Sequence, residues 1–216
     1  MKPTLQLHVL DREKVRFTER ERQLLLTTVA ASFDVATKSL KLPNLMNITV
    51  YGDGENAVPE TGEGGYTASA DWIQLSLDPK KRRQWPRIIK NVLPSTVLHE
   101  LHHASREFQI GARTTLADDV LTEGLATVFS MEQFPEFTPP WSVATDAQAK
   151  RWLKWMSADW NRTEYQRFDY FFKKGPNRWA GYKLGTWLVH RAKKETGKSA
   201  ADMAAWSAGK MLEAAK

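Results

Sequence analysis

One segment of the chain carries residues that could do chemistry together: Val97-Leu98-His99-Glu100-Leu101-His102-His103. On a helix, side chains four apart lie one above the other, so His99 and His103 can offer two imidazoles to one metal ion. Glu100 is turned by about 100° from His99, within reach of a metal-activated water without itself ligating. Zinc lowers the pKa of such a water toward ~7, and a nearby carboxylate can take its proton. A zinc with two His needs a third protein ligand, leaving a fourth position open for catalysis. Glu123, in Leu121-Thr122-Glu123-Gly124-Leu125-Ala126, is the natural choice, since a second helix would bring it to the first. Asp118 and Asp119 compete as ligands. Asp119 lies one turn before Glu123 on the same helical face, so it also suits a role orienting an imidazole. With only five His in 216 residues, H-E-x-x-H has little chance of arising by accident.

The elements that must position these residues are legible around them. Thr4–Leu10 alternates and reads as a strand. Thr18-x-x-Glu21 has the form of a capping box, opening a helix to about Leu40 that buries Leu24, Leu25, Val29, Phe33 and Ala36. Asn47–Tyr51 is a β-branched strand. Glu55–Gly65, rich in Gly, Glu and Pro, reads as a mobile loop. Tyr66–Ala70 and Trp72–Leu77 read as two further strands. Arg87–Phe108 is one helix bent at Pro94, or two joined there. Leu116–Gln133 carries the glutamate. Pro135, Pro139 and Pro140 break the chain, and helices follow at about Asp146–Trp160, Glu164–Lys173, Trp179–Thr196 and Ala200–Ala215. The expectation is one α+β domain over 1–216, with sub-lobes at about 1–134 and 141–216. Its parts are a small, mostly antiparallel sheet, an active-site helix, a glutamate helix and a helical C-terminal lobe.

Composition narrows the classes. The absence of Cys excludes disulfides, Cys-ligated zinc and thiol nucleophiles, and 42% apolar content suffices for a core. Nine Trp, most of them from Trp141 onward, suit a helical core of large flat side chains. The N-terminal apolar stretch is too short and polar for a signal peptide, and no run approaches the ~18–20 apolar residues of a membrane span. A cytoplasmic location is expected. Part of the +6 net charge is one cluster, Lys80-Lys81-Arg82-Arg83. It reads as a solvated loop and helix start rather than a nucleic-acid contact.

H-E-x-x-H with a downstream glutamate resembles the gluzincin metallopeptidases, typified by thermolysin. The usual E-x-x-x-D form of the second motif is absent, because Thr127 stands where the Asp would be. Closer still is the resemblance to a bacterial family of predicted Zn-dependent proteases of unknown function. It rests on His99 to Arg106, Leu121 to Ala126, Tyr170-Phe171-Phe172 and Arg178-Trp179-Ala180-Gly181-Tyr182-Lys183-Leu184-Gly185. The resemblance implies a zincin-like fold, one Zn2+ per chain and peptide or protein substrates.

Peptide hydrolysis also needs a group that stabilises an oxyanion. Tyr182 is the first candidate, with a core Tyr between closely packed glycines as the structural alternative. His190 is the second. His102 neighbours the site without ligating, and His8 is unrelated. Trp72–Leu77, just before the active-site helix, is a candidate edge strand for substrate addition. The expected function is metal-assisted peptide hydrolysis with Glu100 as base. The rivals are an inactive zincin-like scaffold and a basic nucleic-acid- or anion-binding module.

Overall fold

A computed structural model of the chain describes residues 2–112 and 114–216. Its elements are β1 (Thr4–Leu10), α1 (Glu19–Ala36), β2 (Leu45–Gly52), β3 (Glu63–Ser69), β4 (Trp72–Leu77), α2 (Trp85–Asn91), α3 (Leu93–Ile110), α4 (Leu116–Gln133), α5 (Asp146–Met156), α6 (Arg167–Phe171), α7 (Ala180–Thr196) and α8 (Ala208–Ala214). The class is α+β, as expected. Alternation aims one face of the sheet at the core: β2 buries Met46, Ile48 and Val50, and β4 buries Ile73, Leu75 and Leu77. Both arms of the Thr18 capping box form, and α1 turns Leu25, Val29, Phe33 and Ala36 inward. Leu24, expected inside with them, is half-buried.

The sheet order is β1-β2-β4-β3. β1–β2 and β2–β4 pair in parallel, and only β3–β4 is antiparallel. The sheet is therefore mixed rather than mostly antiparallel. The physical reason is the connection: α1 lies between β1 and β2, and a helical crossover returns the chain in the same direction. It also follows that Trp72–Leu77 is no edge strand, since β2 and β3 flank it. β3 holds the edge.

The helical break before the metal motif falls at Val92, whose φ/ψ leave the helical range. Pro94 then sits in the first turn of α3, where a missing N–H costs nothing. At the far end, Ala208–Ala214 is helical, whereas the Ser199–Asp202 cap closes only a turn.

The fold divides into two compact units. The first runs to Gln109 and includes Ser130–Phe137; it holds the sheet and α1–α3. Trp85, fully buried, stacks on Phe17 in it. The second comprises Ile110–Phe129 and Thr138–Lys216, with most of α4 and all of α5–α8. In it α7 packs against α5, α6 and α8, and Trp152 is buried with its indole N–H on Asn177. Among the described residues no helix is long and apolar enough to cross a membrane.

Candidate metal centre

In the first unit, helical spacing stacks His99 and His103 on one side of α3. Both are buried, and their Nε2 atoms lie 2.9 Å apart with the rings nearly perpendicular. Two nitrogens bound tetrahedrally at ~2.0–2.1 Å from zinc would be about 3.3 Å apart. The pair is therefore close to the separation a shared ion requires. His99, His103 and Glu100 can each offer a ligand-type atom such that all lie within 4.8 Å of one another. The residues present fit a metal ion. His102, on the same helix, is fully buried.

Glu100 is held from the edge strand. The Thr67 hydroxyl lies 2.7 Å from Glu100 Oε2 and 3.0 Å from its backbone carbonyl oxygen, and can donate to either. Gly65 makes this approach possible, because a Cβ there would sit 2.6 Å from Glu100 Cγ and 2.8 Å from Thr96 Cγ2. Beside them on β3, Glu63 is 1% exposed and neither carboxyl oxygen has a hydrogen bond of normal geometry. Burial pushes its pKa up. The Thr96 and Thr61 hydroxyls counter this, the charge of Glu100 reinforces it, and His99 opposes it; the balance stays raised.

The second unit holds the other carboxylates. Asp119 and Glu123 are buried one turn apart on α4. Arg167 bridges them: its Nε donates to Asp119 Oδ2 at 3.1 Å, and its Nη2 donates to Glu123 Oε1. The Tyr165 hydroxyl donates to the same Asp119 oxygen at 2.5 Å. The guanidinium lies over the ring of Phe171, 4.6 Å from its centroid. Burial disfavours its charge, but Glu123 first, then Tyr182 and Asp119, more than offset this and raise its pKa. Asp118 is occupied otherwise. Its carboxylate takes the Thr115 backbone N–H and hydroxyl while Thr115 accepts from the Asp118 N–H, a cap for α4.

Tyr182 is half-buried on α7, among the rings of Phe171, Trp179, Phe172 and Trp141. His190, two turns on, is exposed. His8 is exposed beside Asn47. In the basic cluster, Arg82 pairs with Glu21 and Lys81 donates to the Pro59 carbonyl, so half of it serves internal contacts.

The structure thus brings His99, Glu100 and His103 together, and separately joins Glu123 to Asp119. Thr67, Gly65, Tyr165 and Arg167 are additions that sequence reasoning missed. Arg167 is 44 residues from Glu123 and Thr67 is 33 from Glu100, separations for which no periodicity gives a signal.

No curated protein and no solved structure matches the chain significantly. A family described as predicted Zn-dependent protease (DUF2268) matches residues 27–213. That span contains His99, Glu100, His103, Glu123, Arg167 and Tyr182, together with most of the fold, and the chain belongs to this family.

Proposed function

We propose that the chain is a zinc peptidase of the gluzincin type, in which His99, His103 and Glu123 hold one zinc ion per chain. The observation that carries the reading is the convergence of two buried imidazole Nε2 atoms beside a carboxylate fixed by Thr67. Bound zinc supplies Lewis acidity, which polarises a carbonyl and makes water nucleophilic near neutral pH. Glu100 takes the proton of the attacking water and returns it to the leaving amine. Thr67 keeps that carboxylate in one orientation, so the base need not be ordered during the reaction. Tyr182 donates a hydrogen bond from its phenolic O–H to the oxyanion. β3, the edge strand that holds Thr67, receives a peptide backbone by strand addition.

The test is metal analysis joined to hydrolysis of a mixed peptide library. Wild type carries about one zinc per chain, and the His99→Ala/His103→Ala double variant carries none. Glu100→Gln keeps the zinc and the fold but loses turnover by at least the ~10²–10⁴-fold that general bases contribute. Full zinc in the double variant overturns the site, and unchanged hydrolysis in Glu100→Gln overturns the mechanism.

A further inference from the structure

We propose that Arg167 is the positioning residue that presents Glu123 to the metal, an inference that rests on Glu123 being the third ligand. Asp119 and Glu123 are both buried, and like charges one turn apart on a helix repel. That repulsion favours the two carboxylates turning apart. The guanidinium prevents this with separate N–H groups, Nε on Asp119 and Nη2 on Glu123 Oε1. Its planar fork fixes the angle as well as the distance between the two acids.

Arg167 is itself held on several sides. Phe171 lies under the guanidinium plane, and the Tyr165 hydroxyl shares the Asp119 oxygen that Arg167 uses. Arg167 also opens α6, so its backbone is set by the same short helix that supplies Phe171. A long side chain fixed in this way transmits its position to the next group. Oε1 of Glu123 accepts from the guanidinium, and that contact sets the orientation in which the carboxylate would be offered to the metal. Glu123 would then meet the metal in a fixed orientation, and metal affinity would depend on a residue that never touches the ion.

A plain internal ion pair is the competing account, and the two differ in what Arg167 acts through. The experiment measures zinc affinity by chelator competition in wild type, Arg167→Lys, Glu123→Ala and the double variant. It also records the visible spectrum of each cobalt(II)-substituted protein. Lys keeps the charge but lacks the fork, so the fold survives while the orientation is lost. Arg167→Lys should weaken zinc binding by about 10–100-fold, the range for groups that orient a ligand, and should shift the cobalt bands. Glu123→Ala should weaken binding more. Adding Arg167→Lys to Glu123→Ala should cost nothing further, because the residue through which Arg167 acts is gone.

Wild-type affinity and an unchanged cobalt spectrum in Arg167→Lys, with Glu123→Ala impaired, overturn the positioning role and leave the ligand assignment standing. Equal losses from Arg167→Lys with and without Glu123 also overturn it. Undiminished zinc affinity in Glu123→Ala removes the ligand assignment instead, and the inference falls with it.

Discussion

A carboxyl group buried without well-formed hydrogen bonds is held more easily neutral than charged, and Glu63 is such a group, in the electrostatic field of Glu100 and His99. Its raised pKa makes a statement about stability. Below the ordinary value of 4.5, Glu63 is protonated in both folded and unfolded chains, and its contribution is fully present. As pH rises past that value the unfolded chain gives up the proton first. Stability is then lost progressively until the folded group ionises too. Glu63→Gln is neutral at every pH and lacks this loss. In metal-free protein, the melting temperature of Glu63→Gln relative to wild type should therefore rise as pH climbs above 4.5, levelling off once the folded group ionises. A difference that stays constant across that range would mean Glu63 titrates alike in both states. The same scale shows what sequence can and cannot reveal. His99, Glu100 and His103 are legible because one helix fixes their relations through its own geometry. Thr67 and Arg167 are not, because their contacts are made by the path of the chain between distant elements. Glu63 reads in the sequence only as part of a loop, yet it opens a strand and is buried.

At the scale of elements, the close approach of α4 and α7 depends on two glycines. A Cβ on Gly124 would lie 2.2 Å from the Gly185 carbonyl carbon, and one on Gly185 would lie 2.0 Å from the Val120 carbonyl oxygen. Both clashes are with backbone, so no side-chain rotation relieves them. Gly185→Ala should gain ~0.5–1 kcal/mol of helix propensity. It should lose more than that to overpacking, which typically costs ~1–3 kcal/mol and here requires a helix to move. Gly209, in α8, has nothing within 4 Å of its would-be Cβ, so Gly209→Ala should show the gain alone. Urea denaturation of both variants checks the pair, and a Gly185→Ala protein as stable as Gly209→Ala would refute the close-packing account. The spacing of glycines in G-Y-x-x-G is itself a sign of such packing. Most helices and all four strands are similarly visible in the sequence, from caps, prolines and alternation. Strand pairing is not, because a strand's own sequence says which face is buried but not which neighbour it takes. The parallel β1–β2 pair is implicit in the intervening helix, and the insertion of β4 between β2 and β3 has no local signal.

For the whole molecule, the proposed metal should appear as stability. An ion that binds only the folded chain stabilises it by RT ln(1 + [L]/Kd), which is about 2.7 kcal/mol at a free concentration one hundred times Kd. For a chain of this length each kcal/mol moves the melting temperature by roughly 2–4 °C. Stripping zinc with a chelator should therefore lower the melting temperature by about 5–10 °C, and added zinc should restore it. His99→Ala should already melt near the stripped value and respond to neither treatment. Glu100→Gln should respond as wild type does, because its role is in proton transfer and not in holding the ion. These two variants separate metal binding from general damage to α3, since both change buried side chains on consecutive positions of one helix. With two compact units the chain can melt in one step or in two. His99 and His103 belong to the first unit, so in a two-step melt the zinc-dependent shift must include the step in which the sheet and α3 unfold. Tryptophan fluorescence can follow that step through Trp85, which is fully buried in this unit against Phe17. A chelator that leaves the sheet-containing step in place, at zinc concentrations that saturate the wild type by metal analysis, would mean that the ion is held somewhere other than the His99–His103 pair.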